Sequence, residues 1–365
     1  MEAKKRESTI DLLRGIVMVL MVVDHAQEYQ AGPGRGLVTD PMNLAVTPGL
    51  VYFWRILAHF CAPVFTLLMG MSAWLSGASR EKLLKRGLVM LALEFTVMNW
   101  AWTFNPMWHR YFFQIIGAMG VAMLVMAAMK PLGERAMLWT GVGLVAGHNL
   151  LDGIHFASGT WEHALWSLLH EKNVLPAGWG FSVRTTYPVL PVMGLGLAGY
   201  GLGNWWKRGE APWVKTGLGM MGLFVALRAS GVYGDPNEWE RNSLALQSFL
   251  NVTKYPLSLQ FVLMTVGPAM VFLGVARRRG WRQEQLEQLG RTAMFFYITH
   301  LVVLHAGALL AGVVAGGKVE LGARFGGVPE VVGFPVWATA VVALGVTALL
   351  YPLCRWYEPR RMRYL

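Results

Sequence analysis

Hydrophobic residues form long runs along this chain, and short polar segments separate one run from the next. A helix needs about 20 apolar residues to cross roughly 30 Å of hydrocarbon, and it satisfies its own backbone hydrogen bonds there. We expect membrane-crossing helices at 10–29, 51–76, 87–103, 111–128, 136–153, 186–204, 214–232, 255–276, 292–313 and 333–353. The pattern therefore predicts an all-α fold, a polytopic membrane helix bundle of about ten transmembrane helices.

The positive charges test this arrangement, because cytoplasmic connections of membrane proteins carry an excess of lysine and arginine. With an even number of crossings, the two termini and the connections on their side hold 21 lysines and arginines, and the opposite side holds 8. This bias predicts that both termini are cytoplasmic. No internal repeat or second domain interrupts the pattern, so we expect a single integral-membrane domain over residues 1–365.

The composition supports a membrane protein and indicates that the positive net charge serves contact with lipids. The chain is 55% hydrophobic and 15% charged, with a mean hydropathy of +0.41, which excludes a soluble globule. A net charge of +11 in short loops beside apolar runs is typical of contact with anionic membrane lipids. We therefore expect lipid partners and no nucleic acid.

The longest connection, 154–185, is expected to face outward. It carries tryptophan and histidine at near-helical spacing, which favours a short interfacial helix over a metal site. Cys61 and Cys354 fall in different apolar runs and cannot build a zinc cluster by themselves. The sequence therefore predicts no metal site.

The first apolar run carries charges at both ends. Asp11 and Arg14 lie near its start, and Asp24 and His25 lie near its end. In a helix, Arg14 and His25 would lie within about 20° of one face and roughly 16 Å apart along the axis. Ionisable groups in a membrane segment are costly and are usually functional. The alternative is an ion pair at the helix start and an interfacial histidine.

Other titratable residues lie in the outer half of the predicted bundle. His59, Lys254 and His300 are among them, which indicates a polar cavity that opens outward. Imidazole titrates near neutral pH and suits acid–base chemistry, so His25 and His59 are the first candidates and His300 the next. Alternatively, each histidine bonds a carbonyl between helices.

Several of these stretches resemble one family. IDLLRGIVMVLMVVDH, LAHFCAPVFTLLMGMSAWLS, HNLLDG, TYPVLPVMGLGLAGYGLG, NVTKYPLSLQFVLMTVGPAM and GRTAMFFYITHLVVLH are similar to the bacterial branch of the heparan-alpha-glucosaminide N-acetyltransferase catalytic-domain family, within the transmembrane acyltransferases. The resemblance implies that acetyl-CoA on the cytoplasmic side donates an acyl group to an amine or hydroxyl, commonly of a sugar or glycan, on the far side. It also implies a multi-pass protein of the bacterial inner membrane.

One departure from the family affects the expected mechanism. Animal members carry a histidine in the outward loop after the first span that has been proposed as an acyl carrier, whereas residues 30–50 here contain none. Animal members also tend to have asparagine at the position of His25 and aspartate at that of His59. We therefore favour direct transfer between donor and acceptor.

Under this hypothesis, each candidate residue has a role. Arg14 and Arg291, with Asp11, would hold the phosphates of acyl-CoA. His25 or His59, with His300 as a further candidate, would act as general base, Asp24 or Asp152 would orient it, and Lys254 would stabilise the oxyanion. The alternatives are a transporter or flippase for a polar lipid or sugar, and a haem or quinone membrane subunit. Whether the chain forms a homodimer is left open.

Overall fold

The computed structural model describes residues 7–30, 42–45, 47–105, 108–209, 212–241, 244–319 and 333–361. Residues 31–41, which belong to the connection predicted to face outward after the first apolar run, lie outside this part of the chain. The chain divides into two compact units, each built from several stretches of sequence. The first comprises Met1–Cys61, Ala101–Pro106 and Ala269–Leu365, and the second comprises Ala62–Trp100 and Met107–Pro268.

The described part of the chain is mostly helical, which confirms the predicted fold class. The helices are α1 (Ser8–Gln30), α2 (Gly49–Ala58), α3 (Cys61–Leu75), α4 (Arg80–Leu93), α5 (Asn99–Thr103), α6 (Ile115–Met129), α7 (Gly133–Gly147), α8 (Trp161–Leu169), α9 (Val189–Arg208), α10 (Trp213–Ser230), α11 (Ala245–Leu250), α12 (Leu259–Arg279), α13 (Glu284–Arg291), α14 (Ala293–Val314) and α15 (Val336–Arg361). A π-helical turn, Glu94–Met98, joins α4 to α5.

Five helical stretches in the described residues are long and apolar enough to cross a membrane. They are Gly49–Leu75, Ile115–Leu151, Leu259–Arg279, Ala293–Val314 and Val336–Arg360. The stretch Ile115–Leu151 contains α6 and α7, which are separated by a 3-10 turn and by Gly133 with φ of +82°. The structure thus supports a membrane protein, and the predicted count of about ten crossings stays a prediction.

In the first unit, α1 and α13 pack with their backbones in close approach. A Cβ atom at Gly15 would meet the carbonyl oxygen of Leu286, and one at Gly290 would meet that of Asp11. Small residues permit such contacts between helices. α13 also bonds α15, since Gln288 donates to the Cys354 carbonyl at 3.3 Å. The segment between α12 and α14, predicted as a loop, therefore contains a helix that is part of this unit's core.

In the second unit, the glycines of α9 serve the same purpose. A Cβ atom at Gly199 would meet the carbonyl of Leu67, and one at Gly201 would meet α7 at Glu134 and Leu138. The glycine-rich run 194–203 therefore permits close packing of α9 on its neighbours.

The second unit also contains a small three-stranded sheet that the sequence analysis did not predict. Strand β3 (Ser182–Thr185) pairs in parallel with β1 (Arg110–Phe113) and antiparallel with β2 (Asn173–Pro176). Two of its strands lie in the 154–185 connection, which also contains α8. The connection is therefore an ordered segment with secondary structure of its own.

Candidate functional site

The end of α1 and the first half of α14 bring two of the predicted residues together. His25 Nδ1 lies 2.7 Å from His300 Nε2, although the two residues are 275 positions apart in sequence. Their rings are almost parallel, with an interplanar angle of 5°. His25 is 8% exposed and His300 is fully buried. The first unit thus holds a hydrogen-bonded histidine pair in its core.

With both imidazoles neutral, the Phe296 carbonyl sets the direction of this hydrogen bond. His300 Nδ1 lies 2.9 Å from the Phe296 carbonyl, one helical turn earlier in α14. A carbonyl only accepts, so His300 carries its proton on Nδ1 and offers the lone pair of Nε2 to His25. His25 then donates from Nδ1 and carries a lone pair on Nε2. This is the protonation state that a general base requires.

Aromatic rings enclose the pair. Trp102 and Tyr297 present their edges to the His25 ring, with centroids at 5.0 Å and 6.1 Å. Phe296 stacks on His300 at 5.5 Å. The rings hold both imidazoles in one orientation and leave few rotamers open to them.

His305, one turn further along α14, has a different environment. It is fully buried, and its Nδ1 donates to the Ala101 carbonyl at 3.0 Å. Phe104 and Tyr29 stack on its two sides at 4.0 Å and 4.7 Å. This histidine fits the alternative interpretation, in which a buried imidazole bonds a carbonyl between segments.

Asp24 was predicted to orient a histidine base, but the structure pairs its carboxylate with an arginine. Arg55 Nη1 of α2 donates to Asp24 Oδ2 at 2.6 Å, with the two side chains 14% and 10% exposed. The pair holds α2 against α1. This pair satisfies two charges at low exposure, and the predicted orienting role of Asp24 stays a prediction.

His59 lies at a break between α2 and α3, where the sequence pattern predicted one continuous span. Its backbone N–H still bonds Arg55 and Ile56, and its side chain is fully buried. Pro63 in the first turn of α3 has no N–H to donate to the carbonyl of His59 four residues earlier. The proline accounts for the break and places His59 at a helix end.

The predicted donor-binding residues gather near the start of α1 and on α13. Arg14 Nη1 donates to Asp11 Oδ1 at 2.7 Å and to the Gly290 carbonyl at 3.2 Å. Arg291 donates to Glu284 and Glu358, at 2.7 Å in each case. Although burial opposes its charge, these carboxylates raise the pKa of Arg291 above its ordinary value. Each predicted cation therefore already has a carboxylate partner.

Lys254 belongs to the second unit. Its Nζ lies 5.3 Å from the centroid of the Tyr255 ring, and the Nζ of Lys172 lies over the same ring at 4.8 Å. The predicted role of Lys254 in stabilising an oxyanion stays a prediction.

Glu94 lies in the second unit, at the start of the π-helical turn between α4 and α5. It is 2% exposed and accepts from the backbone N–H groups of Gln114 and Gly117, at 2.7 Å and 2.8 Å. These groups belong to the N-terminus of α6, where unpaired N–H groups and the helix dipole favour a negative charge. No local sequence signal could have shown this cap, because the carboxylate comes from a different helix.

Comparison with known proteins adds independent evidence. The family profile described as heparan-alpha-glucosaminide N-acetyltransferase, catalytic, matches residues 6–230 of this chain. No curated protein matches this chain. The matched residues include α1 with His25 and continue to the end of α10. Since the match covers more than half of the chain, this membrane protein belongs to the heparan-alpha-glucosaminide N-acetyltransferase catalytic family.

Proposed function

We propose that the protein is an integral-membrane acyltransferase of the bacterial plasma membrane. It would move an acetyl or other acyl group from cytoplasmic acyl-CoA to an amine or hydroxyl of an outward-facing acceptor, such as a sugar or glycan. The observation that carries the proposal is the buried His25–His300 pair, whose hydrogen bonds leave a basic nitrogen on His25. Membership of the family supports the class of reaction.

In the proposed reaction, His25 Nε2 removes the proton from the acceptor N–H or O–H as that atom attacks the thioester carbonyl. The bond between the acceptor and the acyl carbon forms, and the carbon–sulfur bond of the thioester breaks. The departing CoA sulfur takes the proton from His25, which returns to its starting state. His300 holds the ring and its tautomer during these steps, as a third group orients the base in a catalytic triad.

The donor phosphates need cations that are not already neutralised. Arg14 and Arg291 have carboxylate partners, as described above. Arg278 and Arg279 at the end of α12 are exposed and lie in the same unit as α1 and α13. We therefore add these two guanidinium groups to the proposed donor site, because arginine binds phosphate well.

The geometry of the pair bears on one alternative function. Axial ligands of a haem approach the iron from opposite faces of the macrocycle. His25 and His300 bond each other directly at 2.7 Å, so in this conformation they have no space for an iron between them. The transporter alternative needs no chemistry and is separated from the proposal by experiment.

The test uses the purified full-length protein in proteoliposomes with acetyl-CoA and a panel of amino sugars and hexoses. We expect release of free CoA that depends on the acceptor, together with an equal amount of acetylated product. Movement of the sugar without product would support a transporter and overturn the proposal. Absence of both CoA release and any thermal stabilisation by acetyl-CoA would overturn it as well.

A second arm of this test compares two arginine variants. Arg278→Ala combined with Arg279→Ala should raise the KM for acetyl-CoA and leave the KM for the acceptor unchanged. Arg241→Ala, an exposed arginine of the second unit, is the matched control. An unchanged KM for the donor would remove these two residues from the donor site.

A further inference from the structure

Two histidines and an aspartate form a cluster in the second unit. Asp152 was one candidate to orient a histidine base, and in the structure it pairs with His170. His148 lies in a 3-10 turn directly after α7, Asp152 follows that turn, and His170 ends α8. One potential ligand atom from each residue lies within 4.8 Å of the other two. The cluster joins the end of an apolar helix to the helix of the 154–185 connection.

Both imidazoles are almost completely buried, with 2% exposure each. In the described part of the chain, Nδ1 of His148 and Nδ1 of His170 have no hydrogen-bond partner. A buried polar atom without a partner costs free energy and asks for an explanation, such as an ion. The unsatisfied Nδ1 of His148 is the first indication of a ligand, because it lies beside His170 and Asp152.

The second indication is the set of groups around the cluster. His148 Nε2 lies 3.0 Å from the Leu257 carbonyl, which accepts its proton and leaves the lone pair on Nδ1. Asn149 Nδ2 donates to Asp152 Oδ2 at 2.9 Å and directs the other carboxylate oxygen, Oδ1, toward His170. Metal-binding histidines almost always donate their second N–H to a carbonyl or carboxylate, and ligating carboxylates are oriented in the same way.

The charge of the cluster also suits a cation. Asp152 supplies a carboxylate, and the two imidazoles supply nitrogen donors. Two imidazole nitrogens and one carboxylate oxygen form a donor set that Zn²⁺ accepts in a tetrahedral site with a fourth position for water.

We propose that His148, Asp152 and His170 form a binding site for a divalent transition metal, with Zn²⁺ as the favoured ion, which fastens the 154–185 connection to the end of α7. His170 Nε2 and Asp152 Oδ1 are 2.9 Å apart, close to the separation of about 3.3 Å between neighbouring ligands of tetrahedral zinc. His148 needs to approach these atoms by an ångström or more.

The proposal revises the prediction that the chain has no metal site. In the sequence, His148 and Asp152 lie one helical turn apart, whereas His170 lies in the 154–185 connection. Folding brings Asp152 and His170 together across 18 residues. The metal would close this loop and stabilise the folded connection, because it binds the folded site and has little affinity for the separated ligands.

The test measures metal content and metal-dependent stability of the full-length protein, purified without a polyhistidine tag or chelator. We expect about one zinc per chain and a rise in Tm on the order of 5 °C when Zn²⁺ is restored to chelator-treated protein. Mg²⁺ at the same concentration should have no effect, since magnesium prefers oxygen ligands. Co²⁺ should replace the zinc and give the visible absorption of a tetrahedral site.

Asp152→Asn is the most informative variant, because asparagine has the same shape but is a far weaker ligand. It should lower zinc affinity at least tenfold, and His170→Ala should do the same. His163→Ala, a histidine of α8 outside the cluster, is the matched control and should keep full zinc content. If the wild type binds no zinc, or if Asp152→Asn binds it as well as the wild type, the three residues form only a hydrogen-bonded cluster.

Discussion

At the scale of single residues, the most informative feature is the direction of two hydrogen bonds. The Phe296 carbonyl accepts from His300, and His300 accepts from His25. A neutral imidazole in this position does the same orienting work that a carboxylate does in a hydrolase triad, but adds no negative charge. Burying an unpaired carboxylate in the core would cost more than burying a neutral ring.

The first prediction concerns His300. His300→Ala removes the acceptor of the His25 Nδ1–H and leaves a buried donor unsatisfied, at a cost of about 1–3 kcal/mol. We expect kcat to fall about 10- to 100-fold with little change in the KM for the acceptor. His300→Gln offers a carbonyl oxygen in place of the nitrogen and should retain most of the activity. Steady-state kinetics of the three proteins check this.

Thr299→Ala is the matched control, because Thr299 bonds only within α14 in the contacts described here, donating to Phe295 at 2.9 Å. If His300→Gln loses as much activity as His300→Ala while both remain folded, His300 itself transfers protons. If neither variant is impaired, the histidine pair takes no part in the reaction.

The sequence identified candidate site residues but not the residues that they contact. His25, His59 and His300 were identified because ionisable groups are rare in apolar runs. The contact between His25 and His300 joins positions 275 residues apart, and no local pattern carries that information. For the same reason, the pairing of Asp24 with Arg55 could not be predicted.

At the scale of helices, the packing of α1 on α13 places Arg14 beside Gly290. Gly15 and Gly290 face each other's helix at distances that a side chain would not permit. Because the opposing atoms are backbone carbonyls, the helices can only move apart if a Cβ atom is added. The position of the α1 start therefore depends on these two glycines.

The second prediction is that Gly15→Ala and Gly290→Ala each destabilise the protein, by about 1–3 kcal/mol. Thermal unfolding in detergent, monitored by the change in tryptophan fluorescence, measures the effect. Gly307→Ala on α14 is the control, because nothing lies within 4 Å of an added Cβ atom there. That substitution should be neutral or stabilising, since alanine favours helices over glycine. Equal stability of all three variants would contradict the close approach of α1 and α13.

The sequence predicted most helices well and their interruptions poorly. α1 matches the predicted run 10–29 almost to its ends, because apolar length is a strong signal. The break at His59 follows from Pro63, which the apolar pattern does not take into account. α13 was predicted as part of a connection because many of its residues are charged. The sheet was not predicted, because its strands have four residues each and β1 pairs with β3 about 70 positions later.

At the scale of the whole molecule, the proposed reaction depends on the orientation of the protein in the membrane. The charge bias predicts that the 154–185 connection is outside and that residues 77–86, which include the start of α4, are inside. Cys61 and Cys354 are buried, with 7% and 0% exposure, so they should react slowly with thiol reagents. Labelling of the protein by a thiol reagent therefore reports on an introduced cysteine.

The third prediction follows from this. Ser158→Cys in the outward connection should react with a membrane-impermeant maleimide in intact cells, and Lys85→Cys on α4 should react only after permeabilisation. Both side chains are exposed in the second unit, so protein burial does not decide the result. Labelling of Lys85→Cys in intact cells, or protection of Ser158→Cys, would reverse the proposed sidedness.

The most direct measurement of the central claim is the rate of acetyl transfer by His25→Ala with and without added imidazole. The account predicts that turnover falls about 10²- to 10⁴-fold and is partly restored by imidazole, which replaces the missing base. His109→Ala, an exposed histidine outside the pair, should keep the wild-type rate. Full activity of folded His25→Ala, or a loss that imidazole leaves unchanged, would contradict the assignment of His25 as the base.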